Sequence, residues 1–213
     1  MAVLTISRQF GAGGWSLGKS VADRLNYQFV SGAVINKIAK EANVSPEWIR
    51  SMEKNAGDWL IRFTSSLVSS SFIERHIGQF RADFDEGRYI SFLKKIIIKI
   101  AEEDNVVFLG RGSQFILQHN PNALHLLVVA DLEDRIKFLE RVWNVSRKEA
   151  EKAIQTREKR RDAFLKHLGQ WQPNSLRLYH VIVNTSKMEM GRAEELILWL
   201  VKDFEGRVKQ EAR

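Results

Sequence analysis

The chain has 213 residues, 44% of them hydrophobic and only three of them proline, which supports one sizeable core and excludes a disordered or low-complexity chain. Cysteine is absent, so there is no disulfide framework and no thiolate metal site. Lys and Arg number 33 against 26 acids, and the resulting charge of +7 calls for an anionic partner.

That charge is concentrated. Between Arg135 and Arg177 twelve basic residues stand against five acids, and the rest of the chain is neutral. The first residues carry no basic segment ahead of an apolar run of signal-peptide length, and no stretch approaches the ~18 apolar residues of a membrane span. A cytoplasmic protein without a membrane partner is expected.

In chain order, Val3 to Ser7 is a β-branched run that reads as a buried strand. It stops at Gly11-Ala12-Gly13-Gly14, after which Leu17, Val21 and Leu25 mark one face of a helix. Tyr27 to Val30 reads as a second strand and Val34 to Glu41 as a helix. Ser45-Pro46 reads as a helix start, and Trp59 to Phe84, with its serine-rich patch, as a helical insertion. Tyr89 to Glu103 is a periodic helix. Val106 to Leu109 is a strand that enters Gly110-Arg111-Gly112. Leu124 to Ala130 is a further strand, with Asp131 as N-cap of a helix to Val142. Ser146-Arg147-Lys148-Glu149 is a capping box opening a helix that carries Arg157, Arg160 and Arg161. Leu178 to Val183 is predicted as the last strand, with His180 a hydrogen-bonded core residue, and Glu189 to about Glu205 as the closing helix. Strands alternating with helices predict a three-layer α/β/α domain with a five-stranded, mostly parallel sheet.

A strand running through a glycine-rich turn into a helix converges backbone N–H groups and a helix N-terminus on one point, which makes it an anion site. The phosphate-loop pattern G-x-x-x-x-G-K-[ST] is matched literally by Gly13 to Ser20, but that register leaves a long gap after the strand. Placed directly after the strand, the loop is Arg8 to Ser16. Gly11, Ala12, Gly13, Gly14 and Trp15 then surround the phosphates and Ser16 offers a hydroxyl to Mg²⁺. Gly14 falls where a lysine is usual, and Arg8 or Lys19 is the candidate substitute cation. The alternative is that the glycines only permit tight packing.

Ile6 to Gly14, with its Arg-Gln-Phe-Gly run, closely resembles the signature of the cytidylate kinase-like family of P-loop nucleoside monophosphate kinases. Val106 to Gly112, Arg135, the segment Glu151 to Phe164 and Val181 to Ser186 resemble further motifs of that family in order. The resemblance implies a single domain over residues 1–213, with a helical acceptor-side insertion at about 31–88 and a basic lid at about 144–176. It implies ATP with Mg²⁺ as the donor and phosphoryl transfer to a nucleoside monophosphate, CMP or dCMP foremost. Arg111 and Arg135 would hold the acceptor phosphate, and Arg157 and Arg161 would act as catalytic lid arginines. The family signature likewise lacks the usual loop lysine. Departures are Phe29-Val30-Ser31-Gly32-Ala33 where members commonly carry a Tyr-Asp-Arg-like cluster, His180 where an acid is expected before the last strand, and Glu158 in place of Asp. They motivate the competing reading, a catalytically weakened nucleotide-binding regulatory or nucleic-acid-binding module. No aromatic-interleaved basic stripe accompanies the charge, which disfavours nucleic acid.

Overall fold

The computed structural model describes residues 2–41, 86–168 and 175–211. The predicted helix start at Ser45-Pro46 and the helical insertion over Trp59 to Phe84 lie outside them, with most of the acceptor-side segment. The described elements are β1 (Val3–Arg8), α1 (Gly14–Leu25), β2 (Gln28–Ser31), α2 (Gly32–Glu41), α3 (Glu86–Ala101), β3 (Val106–Leu109) and the short α4 (Ser113–Ile116). They continue with β4 (Ala123–Val129), α5 (Leu132–Trp143), α6 (Arg147–His167), a 3₁₀ turn (Ser175–Leu178), β5 (Val181–Asn184) and α7 (Met190–Glu211).

Five strands form one sheet in the order β2-β3-β1-β4-β5, and every neighbouring pair is parallel. Strands buried on both faces read as continuous apolar runs, and side-chain alternation divides the core in two. Leu4 and Ile6 of β1, Val107 and Leu109 of β3, and Leu124, Leu126 and Val128 of β4 pack with Leu17 and Val21 of α1 and Ile197 and Val201 of α7. On the other face Val3, Val106, Phe108 and Ala123 pack with α2, α3 and Phe115 of α4. β1 therefore exits to one face of the sheet and β3, its neighbour, to the other. The C-terminal ends of this pair form the crevice in which such sheets collect ligands.

The closing strand is shorter than its sequence suggests. Ser175–Leu178 is a 3₁₀ turn and pairing proper begins at Val181. His180 lies exposed just before it, bonded to β4 through its backbone N–H to the His125 carbonyl (2.8 Å) and its ring Nδ1 from the His125 N–H (3.0 Å). The core histidine is His125. Its Nδ1 is 2.7 Å from the Thr5 hydroxyl, its ring stands 5.3 Å from that of His180, and burial, with the His180 charge adding, pushes its pKa down to about 4. A cavity of about 240 Å³ beside this pair lies towards the N-terminal ends of β4 and β5, away from the glycine turns.

An unfolded histidine titrates near 6.5, so between that value and about 4 the unfolded chain binds the proton that folded His125 refuses. Stability is therefore full above the upper value and falls as pH drops through the window, by at most about 1.4 kcal/mol per pH unit for one proton. Urea titrations across pH 4–7 should show this slope, and His125→Gln should flatten it relative to the parent. Equal slopes in the two proteins would contradict the assignment.

Candidate functional site

The turn between β1 and α1 is held open by backbone geometry and by partners from later in the chain. Gly11 and Gly13 adopt φ of +87° and +76°, a region that costs glycine nothing. Gly13 precedes the first turn of α1 without a side-chain cap, so the helix N-terminus is left to the loop. Gln9 anchors the turn to β4 by its N–H to the Val128 carbonyl (2.9 Å) and by accepting the Ala130 N–H on Oε1 (3.0 Å). The Thr185 hydroxyl, just past β5, is shared between the Ala12 and Val129 carbonyls (3.1 and 3.2 Å). Gln9 and Thr185 are site-building residues that residue type alone did not mark; only their place in the motifs hinted at them.

The helix begins at Gly14, so Gly18 and Lys19 of the literal motif lie within α1. Gly18 is a packing residue, since a Cβ there would sit 3.1 Å from both Ile6 and Phe29. Lys19 pairs with Asp23, one turn further from the loop, which directs its charge away from the turn. Trp15 packs its indole edge-on to Phe29. Ser16, in the first turn of α1, is exposed.

Across the β1/β3 crevice, Gly110, Arg111 and Gly112 all have positive φ, at +73°, +57° and +67°. A non-glycine residue in that region is uncommon and marks a backbone held by its surroundings. The Arg111 guanidinium lies against Gly32, where a Cβ would come within 2.7 Å of Nε. Its Nη2 donates to Asn36 Oδ1 (2.9 Å) and weakly to the Gly32 carbonyl (3.4 Å). Gly32, having no side chain, leaves the space that Arg111 fills.

Helix α6 closes this edge. The predicted capping box is present, with the Ser146 N–H donating to Glu149 (2.8 Å). Its inward face reads Ala150, Ile154, Arg157, Glu158, Arg161, Leu165, Leu168, apolar at both ends and charged in the middle. Ala150 and Ile154 pack on Ile136 and Leu139 of α5, and Leu165 and Leu168 enter the main core, with Leu168 filling the space above Gly112. The helix thus spans the crevice docked at both ends. Arg157 lies over the Phe10 ring (5.3 Å), and Phe164 beneath Arg111 (5.9 Å).

Arg8 meets the charges of Arg111, Arg161 and Arg157 here. Burial first, and then these three cations, push its pKa down to about 10. Burial likewise lowers Arg157, helped by Arg160. Arg135 is placed differently. It is 6% exposed, ion-paired with Glu158, and directs Nη1 to the Phe10 carbonyl (3.4 Å). Its backbone and Cβ back onto Gly11. It therefore ties α5 to both the glycine turn and α6, and its head group is engaged by protein. Asp131 occupies the N-cap position of α5, but its side chain makes no cap and pairs with Lys187 (3.2 Å), which corrects the predicted capping role. Among the described residues no group of three or more His, Asp or Glu could hold a metal ion.

A family model described as the cytidylate kinase-like family matches residues 3–187. The chain belongs to the cytidylate kinase-like family. Its sheet order and three-layer arrangement are those of the P-loop kinase fold. The crystal structure of an uncharacterized protein from Eubacterium ventriosum ATCC 27560 superposes with a TM-score of 0.65 at 19% identity, over 95% of this chain and 99% of that one. A gluconokinase from Sinorhizobium meliloti 1021 does so with a TM-score of 0.56 at 13% identity, over 100% and 98%. No curated protein sequence matches. Among the described residues of this family member, no helix is long and apolar enough to cross a membrane.

The Arg135–Glu158 pair makes a prediction about how the site is held. Glu158→Ala strands a buried guanidinium whose Nε already lacks a partner. Because Glu158 keeps about a third of its side chain in water, the loss should be about 1–3 kcal/mol rather than the full cost of a sealed pair. Urea denaturation measures it, and hydrogen exchange should show α6 amides loosening before the sheet. A change under about 0.5 kcal/mol would mean that the pair does not pin the helix.

Proposed function

We propose that the protein transfers the γ-phosphoryl group of ATP to a nucleoside monophosphate, with CMP or dCMP the foremost acceptor, giving CDP or dCDP. The observation that carries this reading is the convergence of Arg8, Arg111, Arg157 and Arg161 on the mouth of a glycine-rich strand-to-helix turn. Arginine charges crowded this closely repel one another and want a multiply charged anion between them. Phosphoryl transfer demands little covalent chemistry of a protein, and positioning with charge stabilisation supplies most of the catalysis.

In this reading the backbone N–H groups of Gly11 to Ser16 hold the donor phosphates at the start of α1. Arg111, on the β3 side of the crevice, holds the acceptor phosphate through its fork. Arg157 and Arg161 approach from α6 to neutralise the transferring group and exclude water. Arg135 acts through Glu158, by setting the height of α6 above the loop. Mg²⁺ is held mainly by phosphate oxygens in such enzymes. A single exposed hydroxyl, Ser16, therefore fits as its protein ligand, and the ion would neutralise charge on the donor phosphates. The oligomeric state is left open.

Saturable thermal stabilisation by ATP with Mg²⁺ and by one nucleoside monophosphate is expected across a panel of mono- and triphosphates, with ADP and a nucleoside diphosphate formed by the same pair. Ser16→Ala and Arg111→Ala should impair turnover. Arg157→Gln and Arg161→Gln should each lower kcat by about 10²-fold or more while leaving the ligand-free melting temperature close to the parent's. Binding without turnover for every acceptor would favour the nucleotide-responsive module, which Ser31-Gly32 and Gly14 motivate. Steeply salt-dependent binding of arbitrary oligonucleotides, with no nucleotide response, would overturn both.

A further inference from the structure

Arg8 has a course that the glycine pattern alone does not explain. A Cβ added at Gly14 would fall 2.7 Å from the Arg8 Cβ and 3.0 Å from its Cγ, so the stem of Arg8 lies across the residue at which a phosphate loop ordinarily mounts its lysine. A Cβ added at Gly110 would fall 1.9 Å from Arg8 Nη1. The side chain therefore leaves the end of β1, passes over the first residue of α1, and sets its guanidinium against the backbone at the end of β3. It lies at the seam between the donor turn and Arg111.

Among the described residues no hydrogen bond or ion pair reaches the Arg8 side chain, although a guanidinium carries five donors. Its electrostatic neighbours are three further arginines. Holding a half-buried, unpaired cation among like charges is costly, and such sites are where function is found. A side chain at Gly14 would press on the stem of Arg8, and one at Gly110 would displace its guanidinium. The missing lysine and the glycine after β3 are thus parts of one arrangement.

We propose that Arg8 is a catalytic residue that replaces the phosphate-loop lysine from the opposite wall of the loop, donating hydrogen bonds to oxygens of the phosphoryl group in transfer. An acceptor phosphate oxygen forms the new bond to the γ-phosphorus as the bond to the β–γ bridging oxygen breaks, and that electron pair leaves on ADP. An acceptor in its dianionic form has no proton to lose. Arg8 stays charged throughout and contacts both halves of the reaction, whereas a helix-mounted lysine approaches from the donor side. This role rests on the phosphotransfer reading above.

The test exchanges the two positions. Four variants, Arg8→Ala, Arg8→Lys, Gly14→Lys and the double variant Arg8→Ala/Gly14→Lys, are compared with the parent by steady-state kinetics, ATP binding and ligand-free melting. Arg8→Ala should lower kcat by about 10²–10³-fold and leave the ligand-free protein as stable as the parent or more so, because it removes an unpaired, half-buried charge from among like charges. Arg8→Lys should recover less than a tenth of parental kcat, lacking the guanidinium fork. Gly14→Lys alone should lose stability, since its Cβ meets Arg8. The double variant should melt above Gly14→Lys and exceed Arg8→Ala in kcat by tenfold or more. Retention of kcat within threefold by Arg8→Ala overturns the proposal and leaves the phosphotransfer reading standing, as does a double variant no faster than Arg8→Ala. A parent that binds ATP yet phosphorylates no acceptor overturns both. A collapse of the melting temperature in Arg8→Ala would make Arg8 a structural residue and overturn the catalytic role.

Discussion

The site depends on holding guanidinium groups together with too few carboxylates to satisfy them. Like charges held close together repel one another, and more strongly where water is excluded. The sheet absorbs this cost by fixing the arginines on elements whose packing is settled elsewhere. Arg8 ends a strand hydrogen-bonded on both sides. Arg111 sits in a turn of positive φ locked between Gly32, Asn36 and Phe164. Arg157 and Arg161 ride on a helix whose two ends are anchored in separate apolar clusters. Apart from the Arg111 bond to Asn36 and the ring contacts of Arg111 and Arg157, these anchors do not involve the charged groups themselves, which leaves most of the guanidinium donors for a ligand.

This arrangement changes the meaning of a loop that looks degenerate. Losing the lysine from a phosphate loop would ordinarily remove its one point charge. Here the vacated position is filled by the stem of Arg8, and the β3 turn gives up a side chain at Gly110 to admit the guanidinium. Charge that the helix side of the loop lacks at Gly14 is thus offered from the strand side, on the wall nearer Arg111. The same economy recurs at Gly32, whose missing side chain makes the bed on which Arg111 lies.

Much of the architecture was legible because buried parallel strands announce themselves as apolar runs. β3 was readable to the residue, and β1, β2 and β4 to within one residue at either end. Gly14 was recognisable as the start of α1 from the stripe of Leu17, Val21 and Leu25. The end of the chain was harder. Leu178, Tyr179 and His180 continue the β-like pattern, yet they form the turn that carries His180 to β4, and a propensity reading has no term for that tertiary bond. Ser113–Ile116 is too short to show a period. In the site, the arginines were recognisable as candidates by their motifs, whereas the difference between Arg135, consumed by Glu158, and Arg8, which no described carboxylate answers, was not. That difference is set by which side chain each happens to face across the fold, and sequence spacing does not encode it.

Helix α6 shows why its charge was ambiguous in one dimension. A run such as Arg157 to Arg161 ordinarily marks a solvated face, and a buried face ordinarily shows an unbroken apolar stripe. Here the stripe exists, but its middle turn is replaced by Arg157, Glu158 and Arg161, so neither pattern is complete. Two basic residues of the segment are neutralised locally, Arg147 by Glu133 and Glu151, and Arg135 by Glu158. The surplus that gives the protein its net +7 is therefore not a diffuse coat. Part of it is what remains when a helix must cross a crevice with arginines turned inward and may not supply the carboxylates that would quench them. A neutral version of this segment would pack more comfortably and would have nothing left to offer a phosphate.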